Sequence, residues 1–440
     1  MVMHTGDVVG GRFELHEVAG TGGMGMVFRA RDRETGDLVA LKVLGGASDD
    51  RQRFAREITH LAAITHPRVV RFVTHGITTD DEPYLVMEWV EGESLQHRLE
   101  HAGLTLAEAI AVGIQVADAL GEIHQRGLVH RDLKPANLMF ERGDLAHLKL
   151  IDFGIARALT DGNGLTLTGM LVGTPGYMSP EQARGIRDVD ARADAFSFGC
   201  VLYECITGWN AFAGEHSMAV RAKILFADPA PLQRLSPEVP VDLAALVDRL
   251  LSKRVEERPR DGQEIAQALR SLGPMPATAA RPTVGEEIHT VALRGTPRRQ
   301  DFVVLAGYPG QLDGTGDGDT IPASALRAIT DAVFKIDPAI RIERIAGGAV
   351  VVQVPGSSGE AAPRERAALA GRCAQECRRA LPTIPIAILT VTQAPVIARG
   401  ERDAIDRAVD ALFKATLRAP GRPAVWIDDE TRALIGNPLG

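Results

Sequence analysis

The stretch HRDLKPANLMFERGDLAHLKLIDFG, residues 130–154, decides how the rest of the chain is read. Asp132 is followed closely by Lys134 and Asn137, so a carboxylate, a cation and a carboxamide share one proline-containing turn. The strand-like run from Leu148 to Ile151 ends on a second carboxylate, Asp152, with Gly154 just beyond. Moving a phosphoryl group through a loose transition state asks for positioning and charge neutralisation rather than covalent chemistry. The parts required are an acid that orients a hydroxyl, a cation and two oxygen ligands for metal ions. This turn and strand supply that set of side chains.

Working outward to the N-terminus, Gly20, Gly22 and Gly25 lead into Val27-Phe28-Arg29-Ala30. In a dinucleotide-binding unit such glycines open a helix. Here β-branched and aromatic residues follow, which predicts a hairpin whose glycine backbone approaches phosphates closely. The next strand, Val39-Ala40-Leu41-Lys42, ends on a lysine. Phe54, Ile58, Leu61 and Ala62 then recur at helical spacing, with Glu57 beside the stripe. Tyr84 to Met87 reads as a strand and Glu88 to Gly92 as a connector. Leu106, Ile110, Gly113, Ala117 and Leu120 predict a long helix over 105–125 that delivers the chain to His130.

In their order these motifs resemble a eukaryotic-like Ser/Thr protein kinase of the bacterial type, over residues 8–272. The resemblance implies a bilobal kinase fold: small lobe 8–87, hinge 88–92 and large lobe 93–272. ATP and Mg²⁺ or Mn²⁺ are the implied cofactors. Asp132 would orient the acceptor hydroxyl and Lys134 steady the γ-phosphate, while Asn137 and Asp152 hold metal. Lys42 would meet the α- and β-phosphates with Glu57 as its ion-pair partner, under a lid made by Gly20, Gly22 and Gly25. The Glu88 carbonyl and Val90 amide would bind the adenine edge, its faces covered by Val27, Ala40 and Met139, with Met87 behind and Phe153 beneath the Glu57 helix.

The segment between Asp152 and Glu181 carries Thr160, Thr166 and Thr168, the expected autophosphorylation sites, with the Thr166/Thr168 pair first. Arg131 would pair with a phosphate there and order the segment. Thr174 is expected to support the catalytic Asp132 and Lys134, Glu181 to pair with Arg258, and Asp194 to anchor the catalytic loop. Ser179 and Phe196 depart from the alanine and tryptophan more usual in that family.

A net charge of -8 over 440 residues gives no support to nucleic-acid binding. No apolar run reaches the length of a membrane span, and no signal peptide opens the chain, so a cytoplasmic protein is expected. Cys200, Cys205, Cys373 and Cys377 lack the spacing of a zinc site and are read as reduced, packed or exposed thiols.

Residues 273–299 read as a linker, in which Thr283 and Thr290 could be read by phosphothreonine-binding partners once phosphorylated. From 300 to 440 the pattern turns to strand, helix, strand pair, helix, strand, helix, strand, predicting a smaller α+β sandwich, ferredoxin-like or cyclase-like. This order resembles a class III nucleotide cyclase domain. Gly307 and Gly347 stand where that family has its metal-binding aspartates, and Asp406 and Asp410 where it has an asparagine and an arginine. The resemblance therefore implies a degenerate regulatory domain serving dimerisation, nucleotide sensing or partner docking. The acidic run Asp313 to Asp319 has Ser324 at the twelfth position of a calcium loop and reads as an insertion. Taken together, the expectation is a Ser/Thr kinase acting on protein substrates, with a homodimer among its assemblies. The alternative is a pseudokinase-like scaffold.

Overall fold

The computed structural model describes residues 3–22, 25–44, 58, 61–152, 175–186, 188–214, 216–273, 275, 300–306, 321, 323–345, 349–355, 362–382, 384–392, 405–410, 412 and 425–435. Strands β1 (Val8–Val9), β2 (Phe13–Gly22), β3 (Gly25–Asp32), β4 (Leu38–Leu44), β5 (Phe72–Ile77) and β6 (Pro83–Glu88) form one sheet, ordered β1-β2-β3-β4-β6-β5. Every pairing in it is antiparallel. Leu15, Phe28, Ala30, Leu41 and Val86 are fully buried in one cluster. Because strand side chains alternate, the opposite face carries Val27, Ala40, Lys42, Leu85 and Met87: Val27 lies across from Lys42, Lys42 from Leu85 and Ala40 from Met87.

A small second sheet, β7 (Gly92–Ser94), β8 (Leu138–Glu141) and β9 (Leu148–Leu150), brackets the 130–137 turn. Gly92 has φ +151°, and a Cβ there would lie 1.9 Å from the Phe140 carbonyl oxygen, so only glycine lets β7 lie against β8. Glu88 belongs to β6, paired with Val39, rather than to the connector read over 88–92.

Helices build the body beneath: α1 (Leu95–His101), α2 (Leu106–Gln125), α3 (Pro180–Ala183), α4 (Ala191–Thr207), α5 (Ser217–Phe226), α6 (Val241–Leu250) and α7 (Gly262–Ser271). α2 starts at a capping box: the Glu108 N–H donates to Thr105 Oγ1 at 3.2 Å, and the Thr105 N–H donates to Glu108 Oε2 at 2.7 Å. Its predicted stripe of Leu106, Ile110, Gly113, Ala117 and Leu120 is buried. α4 is buried on nearly all sides, as an apolar core helix should be, from the Asp190 cap to Gly208 in the left-handed conformation.

α2 and α7 approach so closely at Gly121 and Gly262 that a Cβ on Gly262 would sit 2.3 Å from the Gly121 nitrogen and 2.5 Å from the Ala117 oxygen. Gly262→Ala is expected to lower stability by about 1–3 kcal/mol through this overpacking. A fall in the urea midpoint at unchanged slope is the readout, and an unchanged midpoint would show that the helices can part at no cost.

The C-terminal unit runs β10 (Gln300–Ala306), α8 (Ala323–Ile336), β11 (Arg341–Ile345), β12 (Ala349–Val354), α9 (Ala362–Ala380), β13 (Ile386–Thr392), β14 (Val425–Ile427) and α10 (Asp429–Ile435). A helical stretch at 405–410 lies between β13 and β14. The sheet order is β11-β12-β10-β13-β14, antiparallel except for the final β13–β14 pair. Phe302, Val304, Val350, Val352 and Ile388 join residues of α8 and α9 in one core, while Val303, Leu305, Val351 and Leu389 turn to the other face.

The last predicted strand is a strand only to Ile427. Asp428 stops it by accepting from the Thr431 N–H with one carboxylate oxygen and from the Thr390 N–H with the other, each at 2.7 Å. That caps α10 and ends the strand together. Cys373 and Cys377 lie in the α9 core, where burial pushes both thiols up to about 12. Among the described residues no helix is long and apolar enough to cross a membrane.

Candidate active site

The Pro135–Asn137 segment is a single 3-10 turn, and it folds the key side chains onto one another. Asp132 Oδ2 accepts from Lys134 Nζ at 2.9 Å and from Asn137 Nδ2 at 3.2 Å. Asn137 Nδ2 also donates to the Asp132 carbonyl at 2.7 Å. The Ile151 N–H donates to the Asn137 carbonyl at 2.9 Å, which ties this turn to the strand end carrying Asp152. Asp152 in turn holds an ion pair with Lys42, buried on β4. Lys42 is thus partnered by Asp152 among the described residues, whereas Glu57, the partner expected from the sequence, lies outside them.

Arg131 and Asp152 have φ of +64° and +59°. Non-glycine residues in that region carry about 1–3 kcal/mol of strain each, held in place by their surroundings. Asp194 is one such restraint. Fully buried at the start of α4, it accepts from the His130 N–H at 2.6 Å, the Arg131 N–H at 2.8 Å and His124 Nε2 at 2.9 Å. Burial alone would raise its pKa, but these bonds and the nearby imidazoles outweigh burial and hold the carboxyl below its usual range. His130 is locked as well. Its Nδ1 accepts from the Asp132 N–H at 3.3 Å, so the hydrogen is on Nε2, which donates to the Ile151 carbonyl at 3.2 Å.

Glu181 and Arg258 meet as a buried bidentate pair at 2.8 and 3.0 Å. Ser179, unusual by the resemblance, caps α3: its hydroxyl accepts from the Gln182 N–H, while the Gln182 side chain accepts from the Ser179 N–H at 3.0 Å. Gln182 Nε2 also donates to the Arg131 carbonyl at 2.8 Å, so α3 grips the strained turn. Phe196 is fully buried and stacks on Phe212 at 5.8 Å, filling the place of a larger ring.

On the sheet side, Gly20 lies across from Val27 and Gly22 across from Gly25, so the glycines form the end of the β2–β3 hairpin. Val27, Ala40 and Met87 share the Lys42 face, Met139 is half-buried on β8, and Val90 packs against the helical core. The Glu88 side chain pairs with Lys149. Phe153, Thr160, Thr166, Thr168, Thr174, Gly307, Gly347, the acidic run at 313–319 and the phosphorylatable Thr283 and Thr290 lie outside the described residues.

The protein kinase domain model matches residues 13–271, which hold strands β2 to β6 of the large sheet and the whole helical body with the turn between them. The chain belongs to the protein kinase family. The kinase domain is bilobal, a curled sheet set on helices. The chain is 36% identical over 378 residues to the serine/threonine-protein kinase PknB of Mycolicibacterium smegmatis, covering 82% of its own length and 59% of that protein. It is 41% identical over 263 residues to PknB of Mycobacterium tuberculosis, covering 58% and 42%. The pkn2 kinase of Myxococcus xanthus is 37% identical over 308 residues, covering 64% and 37%. The chain thus spans less than two thirds of the length of these relatives.

Sequence reading missed His124, Gln182 and Glu204. His124 links three helices, bonding to Asp194 through Nε2 and accepting from the Gly262 N–H through Nδ1 at 3.0 Å. Its one sequence signal is a histidine in the last turn of the helix that precedes His130. Glu204 is on the wall of a cavity of about 320 Å³ beside the catalytic turn, lined also by Glu100, Lys134, Pro135 and Tyr177. Tyr177 donates to Glu204 at 2.6 Å. Burial raises the Glu204 pKa, and the nearby Glu100 carboxylate adds to the rise.

Proposed function

We propose that this kinase transfers the γ-phosphate of ATP to Ser and Thr hydroxyls of proteins. The observation that carries the reading is the convergence of Asp132, Lys134 and Asn137 in one turn, tied through Ile151 to the Lys42–Asp152 pair. Asp132 is a nearly buried carboxylate that already accepts two bonds, and it retains acceptor capacity for a substrate hydroxyl. In this reading Lys134 steadies the transferring phosphoryl group, and Lys42 holds the inner phosphates beneath the glycine hairpin. The residues fit a divalent cation, because Asp152 and the Asn137 oxygen are hard donors, and Mg²⁺ or Mn²⁺ takes one or two such groups beside phosphate oxygens. When bound, the cation neutralises charge on those phosphates. The Glu88 carbonyl and Val90 amide serve the adenine edge, with Val27, Ala40 and Met139 on its faces.

The same reading makes Thr166 and Thr168, then Thr160, sites of autophosphorylation, with Thr174 supporting the acceptor site. It divides the chain into a catalytic unit over 8–272 and a catalytically inactive regulatory unit over 300–440. The strand–helix–strand–strand–helix–strand path with order β11-β12-β10-β13 supports a ferredoxin-like plan for that unit, with cyclase-like additions.

Glu204 and Glu100 give the cavity beside Lys134 two carboxylates whose mutual repulsion a cation would relieve. The acceptor segment is therefore one carrying a basic side chain. Glu204→Gln is expected to raise KM for an arginine-bearing acceptor peptide roughly tenfold, the loss of a charge-assisted hydrogen bond. KM for a neutral peptide stays the same, and an equal rise for both peptides would remove the assignment. The activity itself is tested by supplying the full chain with MgATP and Ser- and Thr-bearing acceptors. Phosphate esters on both are the expected products, and binding of acceptors without transfer would favour a scaffold.

A further inference from the structure

The helical stretch at 405–410, with Leu412 just beyond, has two faces of different chemistry. Ile405, Ala408, Val409 and Leu412 recur at helical spacing, are buried, and share a cluster with Val303, Leu305 and Val351 of the adjacent sheet face. Asp406 and Asp410, one turn apart, form the other face. That acidic face meets the kinase domain at α5. Asp406 Oδ2 accepts from Lys223 Nζ at 2.7 Å, with side-chain exposures of only 5% for Lys223 and 9% for Asp406. Lys223 also donates to the Ala213 carbonyl at 2.5 Å, and Asp410 lies 4.0 Å from His216. The Gly214 backbone closes over the pair, since a Cβ there would be 3.0 Å from Asp406 Oδ1.

We propose that the C-terminal unit is clasped to its own kinase domain on the α5 face, with Asp406 and Asp410 as the contact side chains and Lys223 and His216 as their counterparts. A buried ion pair is costly to form unless geometry and extra hydrogen bonds compensate, and here the lysine has both a carboxylate and a carbonyl. The two aspartates stand where the cyclase resemblance has an asparagine and an arginine. α5 packs on its other side against α3 and the Pro175–Tyr177 turn. α3 holds the catalytic turn through Gln182 and the Arg131 carbonyl. A ligand or modification that lifts the C-terminal unit therefore acts on the end of the segment that leads into the catalytic centre. The clasp stands on geometry alone, and its effect on phosphoryl transfer rests on the proposed kinase activity.

Hydrogen exchange of the α5 amides in the full chain tests the clasp without any reference to catalysis. Asp406→Lys and Lys223→Asp are each expected to speed exchange over 217–226 about a hundredfold, as for a broken buried pair. The double exchange, which restores opposite charges, should recover at least a tenth of the protection. If a single variant loses its far-UV signal, Asp406→Asn provides the milder test, with roughly tenfold faster exchange expected. Unchanged α5 protection in a folded Asp406 variant overturns the clasp. So does wild-type protection that rises with protein concentration, because the contact would then come from a second copy. Altered peptide phosphorylation in the same variants supports the link to the catalytic turn. Faster exchange with unaltered phosphorylation removes that link and leaves the clasp standing.

Discussion

Asp132→Asn is expected to cut kcat for phosphoryl transfer by about 10²–10⁴-fold, the usual contribution of a group that orients or accepts a proton in the transition state. Asparagine fills the same volume and keeps an oxygen for Lys134. It removes the negative charge that both Lys134 and the acceptor hydroxyl would meet. The affinity for ATP should change little, since Asp132 meets the acceptor and the phosphates are held by Lys42 and the glycine hairpin. Single-turnover measurements on folded protein separate the two quantities. A variant that retains wild-type kcat would place the reacting hydroxyl elsewhere.

Removing one side of the Glu181–Arg258 pair is expected to be the most destabilising single change in the helical body. Arg258 is 3% exposed, bonds both Glu181 oxygens and also donates to the Ser252 and Arg192 carbonyls. Arg258→Ala leaves the Glu181 carboxylate buried without a counter-charge, at a cost of about 3–5 kcal/mol. For a unit of this size that corresponds to a fall in Tm of about 6–20 °C.

The pair also gives stability a pH dependence of definite sign. Burial alone would raise the Glu181 pKa, but the Arg258 bonds and charge outweigh burial and hold it below 4.5. The stabilisation is therefore fully present above the ordinary glutamate range and is lost as pH falls through the depressed folded value. Glu181→Gln should be less stable than wild type at neutral pH, and the gap should narrow on acidification. A gap that stays constant down to pH 3 would show that the charge contributes nothing.

Much of the site can be read from sequence because its parts are local. Asp132, Lys134 and Asn137 lie in one turn, so the spacing that suggests their chemistry is also the spacing that brings them together. The glycine hairpin is legible because β-branched residues follow the glycines and exclude a helix. Other parts depend on contacts that no local pattern records. His124 reaches Asp194 from 70 residues away, and Gln182 reaches Arg131 from 51. Each is an ordinary polar residue on its helix until the packing of α2, α3 and α4 gives it a partner. The Lys42–Asp152 pair likewise joins residues 110 positions apart. At Asp428 the periodicity misled, because a β-like run continued into residues that one capping carboxylate turns into α10.

The most direct measurement supplies the full chain with Mg²⁺ and ATP labelled either at the γ- or at the α-phosphate. The kinase reading predicts that γ label becomes covalently attached to Ser and Thr hydroxyls of the chain and of added acceptors, while α label stays in ADP. No transfer of γ label, or release of α label as a cyclic nucleotide, would contradict the claim that the Asp132 turn is the reacting centre of this chain.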